Sequence, residues 1–275
     1  MLRPLSLLFS FCLCLLASNL SAQSGSQNMV MLGNWDVDTL PRFSDVWGYA
    51  RDGREYAVIG SRDYVHVIDV TDPANPAEIA ALNTFENSGS VWRDIKILGD
   101  YAYCVTETQE GLQIVDLSDL PNSASIVYQD STIFKSAHNI FIDSTSVPPR
   151  LYVFGSRPGP QLNGYMVFTL ADPTAPVLAA TVDIDNTDDP SLGYIHDGYA
   201  HNDTLYANHG GNGFYVYDVA DPQNPVELGS LTNYAESGYN HSVWGTADGR
   251  HMVMCDETTN TGVKVISLDK SDPFF

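Results

Sequence analysis

The chain has 275 residues, and its 34 Asp and Glu against 13 Lys and Arg give a formal net charge of −21 at pH 7. Hydrophobic residues make up 44% of the sequence and aromatic residues 11%, which is enough apolar material for a packed core and argues against disorder. The acid excess excludes a protein that binds nucleic acid by neutralising phosphates, and it argues against binding to an anionic membrane surface.

The first 22 residues have the pattern of a secretory signal peptide. Arg3 supplies a short basic start, an apolar run extends from Leu5 to Leu16, and small residues follow at Ser21-Ala22. We therefore expect residues 1–22 to be removed and residues 23–275 to form one exported domain that is secreted, periplasmic or on the cell surface. No later stretch approaches the ~20 apolar residues of a membrane span.

An Asp-Pro turn recurs along the rest of the chain, with 47 to 53 residues between successive aspartates. Three full copies are Asp72-Pro73-Ala74-Asn75-Pro76, Asp172-Pro173-Thr174-Ala175-Pro176 and Asp221-Pro222-Gln223-Asn224-Pro225, and two weaker ones are Asp119-Leu120-Pro121 and Asp272-Pro273. Each copy follows a run of β-branched and aromatic residues, such as Val65–Val70 or Phe214–Val219, which favours strands over helices. Further short runs of the same kind lie on either side, so a complete unit contains four strands.

Four short antiparallel strands, repeated at a nearly constant period, predict an all-β fold of the β-propeller class. A β-sandwich is the competing architecture, but it does not impose so regular a period. Five units are visible, at about 45–82, 91–130, 137–182, 195–231 and 240–275, and the fifth lacks its outer strand. Either the strand-like segment 29–34 supplies this strand and closes a five-bladed ring, or the units belong to a larger, truncated ring. Cys104 and Cys255 fall on non-adjacent blades, so we expect no disulfide between them.

A column of aromatic and imidazole side chains marks the start of the first strand in each unit. Alignment on the Asp-Pro turns places Trp47, Trp92, His138, His196 and His241 in this column. In a propeller the first strand of each blade is innermost, so these side chains should lie near one mouth of the central channel. The tryptophans, and Trp244 with them, could stack on a sugar or simply pack between blades.

Acidic residues are expected at the same mouth. The loops between second and third strands open on this face, and other acids directly follow the column. Imidazoles and carboxylates together are typical of a transition-metal or Ca²⁺ site, and equally of a polar ligand pocket or a structural polar plug. The candidate metal ligands are His138, His196, His241, Asp256 and Glu257; the candidate ligand-binding residues are His138, His196, His241, Asp94, Asp197, His209 and Glu107.

The strand motifs resemble known families. Val67-Ile68-Asp69-Val70 with Asp72-Pro73, Gln113–Leu117 and Val216–Val219 resemble the LVIVD repeat. Ser90–Lys96, Ser136–Asn139, Gly193–Asp197 and Gly238–His241 resemble the choice-of-anchor B family. The resemblance implies an exported bacterial β-propeller, attached to the surface by a C-terminal device, whose repeats usually continue further and so favour a larger ring. It supplies no catalytic residues.

We therefore expect a binding or scaffold module rather than an enzyme. Its partner would be an extracellular protein, a glycan or a small ligand held at the channel mouth, with no catalytic residue assigned and with a divalent metal, Ca²⁺ or a transition metal, as the possible cofactor. The alternative is a metal-assisted hydrolase or lyase, in which the three histidines hold the metal and one nearby acid acts as base. The candidate bases are Asp94, Asp197, Glu107 and Glu257.

Overall fold

The structure, a computed structural model, describes residues 29–37, 42–83, 90–159, 162–184 and 193–269. The predicted signal peptide, residues 1–22, and the last Asp-Pro turn, Asp272-Pro273, lie outside the described residues. The chain divides into two compact units, Met1–Leu32 and Gly33–Phe275. In the first unit, the described residues 29–32 are exposed and form no regular secondary structure.

The described part of the second unit forms five antiparallel sheets, in which the strands lie side by side in chain order. The first sheet contains β1 (Phe43–Arg51), β2 (Arg54–Ser61), β3 (Tyr64–Asp69) and β4 (Ala77–Asn83), and the second contains β5 (Arg93–Leu98), β6 (Tyr101–Thr106), β7 (Leu112–Asp116) and β8 (Ser125–Asp130). The third contains β9 (Asn139–Asp143), β10 (Arg150–Phe154), β11 (Gly164–Thr169) and β12 (Val177–Asp183), and the fourth contains β13 (Asp197–His201), β14 (Thr204–Asn208), β15 (Phe214–Asp218) and β16 (Val226–Leu231). The fifth contains β17 (Asn240–Gly245), β18 (His251–Asp256) and β19 (Lys264–Ser267). Among the described residues no helix is long and apolar enough to cross a membrane.

The fifth sheet differs from the others because its described part contains three strands instead of four. The segment 29–34, predicted as a possible closing strand, has no strand conformation in the structure. Apolar side chains from Met29 to Leu32 are 63% to 84% exposed, so this run does not have the buried face that a paired strand would give it.

The Asp-Pro turns are held by the side chains that their sequence supplies. Oδ1 of Asp72 accepts the backbone N–H of Ala74 at 3.1 Å. Oδ1 of Asp172 likewise accepts the N–H of Thr174 at 2.9 Å, and Oδ1 of Asp221 accepts the N–H of Gln223 at 3.1 Å. This aspartate-to-backbone bond, two residues along the chain, favours a turn, which is why the motif ends the third strand in successive units.

The hydrophobic core lies between neighbouring sheets. Four clusters of buried residues fill the interfaces between the first and second, second and third, third and fourth, and fourth and fifth sheets. The first strands of successive sheets contact one another and are therefore innermost. Cys104 and Cys255 are both free thiols. The all-β propeller fold predicted from the repeat is confirmed.

We expect Leu205→Ala to lower the free energy of unfolding by about 2–5 kcal/mol, because the side chain is fully buried between the third and fourth sheets and its removal leaves a cavity. Leu228→Ala, in the same sheet but 51% exposed, is the matched control and should cost less than about 0.5 kcal/mol. Urea denaturation followed by tryptophan fluorescence measures both. Equal effects would contradict the placement of the core between sheets.

Candidate functional site

The candidate site lies at the beginning of the first strands of the third, fourth and fifth sheets. His138 directly precedes β9, His196 directly precedes β13, and His241 is the second residue of β17. The N–H groups of His138 and His196 donate to carbonyls of β10 and β14, at 3.0 and 2.8 Å. The position of these two histidines is therefore set by their sheets rather than by a free loop.

The three imidazole rings form a row across these sheets, which we call the histidine mouth. The ring centroids of His138 and His196 are 4.2 Å apart, and those of His196 and His241 are 4.4 Å apart. Gly155 permits the row, because its φ is +58° and a Cβ there would lie 2.7 Å from Cβ of His138. Any other residue at position 155 would push His138 out of line.

Hydrogen bonds determine which ring nitrogens keep a lone pair. Nδ1 of His196 lies 3.1 Å from the carbonyl oxygen of His241. Because a carbonyl only accepts, Nδ1 carries the proton and Nε2 keeps its lone pair. Nδ1 of His138 donates to Oε1 of Glu107 at 2.6 Å, which fixes the orientation of this ring. Such outer hydrogen bonds orient histidine ligands in metal sites.

Glu257 completes a set of groups able to hold a metal ion. The ligand atoms of His196, His241 and Glu257 all lie within 4.8 Å of one another. Ligand atoms around a tetrahedral Zn²⁺ lie about 3.3 Å apart, and Oε2 of the 67% exposed Glu257 side chain lies 3.6 Å from Nε2 of His241. Two nitrogens and one carboxylate suit a transition metal, whereas Ca²⁺ prefers oxygen ligands.

Burial keeps two of the imidazoles in the form that binds metals. Burial, together with the neighbouring His138 and His241, lowers the pKa of His196 to about 4. Burial also lowers the pKa of His241. Both rings are therefore neutral at pH 7, and a neutral imidazole offers the lone pair that a metal ion needs.

Two tyrosines and a cavity border the histidine mouth. Tyr239 lies edge-on to His196, with ring centroids 5.4 Å apart, and its hydroxyl donates to the hydroxyl of Tyr194 at 3.0 Å. A cavity of about 310 Å³ opens beside His138 and is also lined by Tyr194 and Arg157. A ligand of modest size therefore has room next to the imidazoles.

A buried ion pair lies deeper in the channel. Lys96 donates to Oδ1 of Asp94 at 2.5 Å and lies 3.9 Å from a carboxylate oxygen of Asp45. The other Asp94 oxygen accepts the N–H of Ile140 at 2.6 Å, which joins the second sheet to the third. Burial raises the pKa of Asp94, and the positive charge of Lys96 opposes that rise. Burial raises the pKa of Asp197, also in the channel, to about 6.

The two tryptophans predicted in the histidine column lie elsewhere. The ladder between β5 and β6 places Arg93, not Trp92, at the position equivalent to the histidines, and Trp92 is 58% exposed. Trp47 lies deeper in the channel against Trp244, with ring centroids 5.9 Å apart. The β1–β2 hairpin has two more residue pairs at its turn, Ala50–Glu55 and Arg51–Arg54, than the β13–β14 hairpin, and alignment on the Asp-Pro turns could not detect this added length. The prediction for both tryptophans is therefore wrong.

Two other predicted site residues turn away from the histidine mouth. The fully buried Asp256 side chain forms a salt bridge with Lys264 at 2.8 Å. His209 is 2% exposed and hydrogen-bonds the hydroxyl of Tyr217 at 3.1 Å. Because successive side chains in extended chain point to opposite sides, Asp256 faces inward while Glu257 reaches the mouth. Of the predicted set, Glu107 and Glu257 flank the histidines, and Asp94 and Asp197 lie below them.

Sequence reasoning missed the tyrosines that pack beside the imidazoles. Gly193-Tyr194-Ile195-His196 and Gly238-Tyr239-Asn240-His241 share the pattern Gly-Tyr-x-His. The sequence signal that could have identified both tyrosines is the repeat of this whole tetrapeptide, and not of its histidine alone.

The fold and the site together define a β-propeller with imidazoles and carboxylates at one channel mouth. The LVIVD repeat model matches residues 54–84 and 88–126, so the predicted resemblance to the LVIVD repeat is confirmed and the chain contains LVIVD repeats. No curated protein matches the sequence.

Solved structures of β-propeller type are similar to this chain. A putative 6-phosphogluconolactonase from Bacteroides uniformis has 10% identity and a TM-score of 0.59 over 81% of this chain and 66% of its own. A periplasmic gluconolactonase from Pseudomonas aeruginosa has 12% identity and a TM-score of 0.58, covering 81% and 68%. The β-propeller domain of Cps50 from Myceliophteria thermophila has 12% identity and a TM-score of 0.53, covering 79% and 68%. The chain spans 58% to 68% of the length of these structures and of a computationally designed protein that is also similar. Such identities show the fold alone.

We expect Asp94→Asn to lower the free energy of unfolding by about 3 kcal/mol at pH 7, because it leaves the buried Lys96 ammonium without its closest counter-ion. The double variant Asp94→Asn, Lys96→Met removes both charges and should recover most of that loss. Urea denaturation of the two variants tests this. A single variant as stable as the wild type would show that Asp94 carries no charge in the folded protein.

Proposed function

We propose that this protein is an exported binding module whose histidine mouth holds a divalent transition-metal ion and, through it, a ligand or an extracellular partner. The observation that carries the proposal is the convergence of His196, His241 and Glu257, whose ligand atoms lie within 4.8 Å of one another. The hydrogen bond from Nδ1 of His196 to the carbonyl of His241 supports it, because it holds the imidazole in the tautomer whose Nε2 keeps a lone pair for a metal ion.

The surroundings of the site support a ligand in addition to the metal. Three protein ligands leave a coordination position open, as in catalytic and exchangeable zinc sites. The cavity of about 310 Å³ beside His138 gives that position space. Glu107 already pairs with His138 at 2.6 Å, so this imidazole is oriented to bind either the metal or a group carried by the ligand.

Export and surface attachment belong to the same proposal. The basic start, the apolar run and the small-residue end of residues 1–22 support removal of a signal peptide. The Gly-Tyr-x-His segments and the segment Ser90–Lys96 support a relationship to the choice-of-anchor B proteins, and hence a place on a bacterial surface.

We expect the purified protein, freed of metal with a chelator, to bind one Zn²⁺ per chain in isothermal titration calorimetry, and to bind Ca²⁺ far more weakly. The double variant His196→Ala, His241→Ala removes two ligands and should weaken Zn²⁺ binding by about 100-fold or more, and Glu257→Gln by about 10-fold. His201→Ala is the matched control, since this exposed histidine lies at the far end of β13 and should leave Zn²⁺ affinity unchanged.

Unchanged Zn²⁺ binding in the double variant would refute the metal site, as would an equal loss in His201→Ala. Circular dichroism of each variant checks that the sheets are intact. Preferential binding of Ca²⁺ over Zn²⁺ would indicate that the cation binds at an all-oxygen site elsewhere and not at the histidine mouth.

The second candidate function is a metal-assisted hydrolase or lyase. The observation that favours it is the Glu107–His138 pair at 2.6 Å, which lines the cavity and could accept a proton beside a bound metal. Hydrolysis of a nitrophenyl ester or phosphoester by the Zn²⁺-loaded protein, lost in Glu107→Gln while Zn²⁺ still binds, would favour the enzyme. Zn²⁺ binding with no turnover of these probes would favour the binding module.

A further inference from the structure

The opposite end of the channel carries a second set of side chains, one from the first strand of each sheet. These residues occupy equivalent ladder positions: Trp47, Lys96, Phe141, Tyr199 and Trp244. We call them the aromatic mouth. Tyr199 lies three residues beyond His196, and since a strand rises about 3.3 Å per residue the two mouths are about 10 Å apart.

We propose that the aromatic mouth is a second binding site, which takes a neutral sugar ring and works independently of the histidine mouth. A cavity of about 210 Å³ opens there and is lined by aromatic faces together with Lys96, Asp143 and His201. Ligand sites of this kind combine apolar walls with a few polar groups that fix orientation.

The aromatic side chains are arranged as walls around an opening. Trp244 contacts Trp47, Phe141 and Tyr199, with ring centroids 5.9, 5.6 and 5.4 Å away. Even so, Trp244 remains 49% exposed, although it lies on an innermost strand. A pyranose ring has an apolar C–H face that packs on such an indole and a rim of hydroxyls that needs hydrogen-bond partners.

The charged side chains at the aromatic mouth disfavour both cationic and anionic ligands. The ammonium of Lys96 already lies 4.9 Å from the centroid of Trp47, so a cationic ligand would meet a like charge over the ring it would bind. An anionic ligand would meet the carboxylate of Asp143, which lines the cavity, while the ammonium of Lys96 is already held by Asp94 at 2.5 Å. A neutral, polyhydroxylated ligand meets neither repulsion.

The volume sets the size of that ligand. About 210 Å³ lies below the 300–1,000 Å³ of sites for drug-sized molecules. The cavity therefore holds one sugar ring, with His201 exposed at its rim for any further unit of a glycan.

The test uses the full chain and three probes that differ in charge: neutral N-acetylglucosamine, cationic glucosamine and anionic glucuronate. Methyl glucoside and methyl galactoside serve as further neutral sugars. Saturation-transfer NMR and tryptophan fluorescence report binding. We expect a neutral sugar to bind and the two charged analogues to bind at least about 10-fold more weakly, and Trp244→Ala to weaken the neutral sugar by about 10-fold.

Trp92→Ala is the matched control, because Trp92 is 58% exposed outside this mouth and its loss should leave sugar affinity unchanged. His201→Ala, at the rim, should weaken binding by a few-fold. Absence of binding by every neutral sugar overturns the proposal, as does an equal effect of Trp92→Ala and Trp244→Ala, or preferential binding of glucosamine. Measurements in chelator should give the same sugar affinity, so failure of the metal site and failure of this site are distinguishable.

Discussion

The structure depends on the burial of apolar side chains between neighbouring sheets. A four-stranded sheet with two apolar faces cannot remain alone in water, so each unit must cover the next. The repeated turn takes part in this contact. The hydroxyl of Tyr103 donates to the carbonyl of Pro173 at 2.8 Å, and that of Tyr165 donates to Pro222 at 3.1 Å, each linking one sheet to the Asp-Pro turn that follows the third strand of the next. The carbonyl groups of the Asp-Pro turns, the motif by which the repeat is recognised, therefore also accept hydrogen bonds from the preceding sheet.

This packing brings the first strands together and leaves their polar side chains to join them. A side-chain hydrogen bond joins each first strand, or the residue directly before it, to the next: Asp45 Oδ2 accepts from the Ile95 N–H, Asp94 Oδ2 accepts from the Ile140 N–H, the Asn139 amide donates to the His196 carbonyl, and His196 Nδ1 donates to the His241 carbonyl. The bond that orients His196 for a metal is thus one member of a structural series. Its imidazole would be held in this tautomer whether or not a metal binds, and a preformed ligand costs less to organise.

The repeat made much of the fold predictable, and the site less so. The spacing of Asp-Pro turns indicated the sheets and the innermost strands, and so brought His138, His196 and His241 near each other. It could not place Trp47 or Trp92, because a longer β1–β2 hairpin and a shift of one residue in β5 change which side chain enters the channel without altering the period. Nor could it separate Asp256 from Glu257, since that depends on Lys264, a residue of the next strand. The repeat also gives no indication that Lys96 pairs with Asp94, because the other four sheets have an aromatic residue at the position of Lys96.

The charged side chains are distributed differently at the two ends of the channel. A net charge of −21 raises the concentration of cations around the whole protein. At the histidine mouth, neutral imidazoles and the exposed carboxylate of Glu257 offer such a cation ligands. At the aromatic mouth, Lys96 places its positive charge over the Trp47 ring, which would otherwise attract a cation from solution. The position that holds an aromatic residue in the other four sheets holds this lysine in the second sheet, and the buried Asp94 keeps it there. This ion pair within β5 makes the two ends of the channel chemically different, and the second oxygen of Asp94 joins the same strand to the third sheet through Ile140.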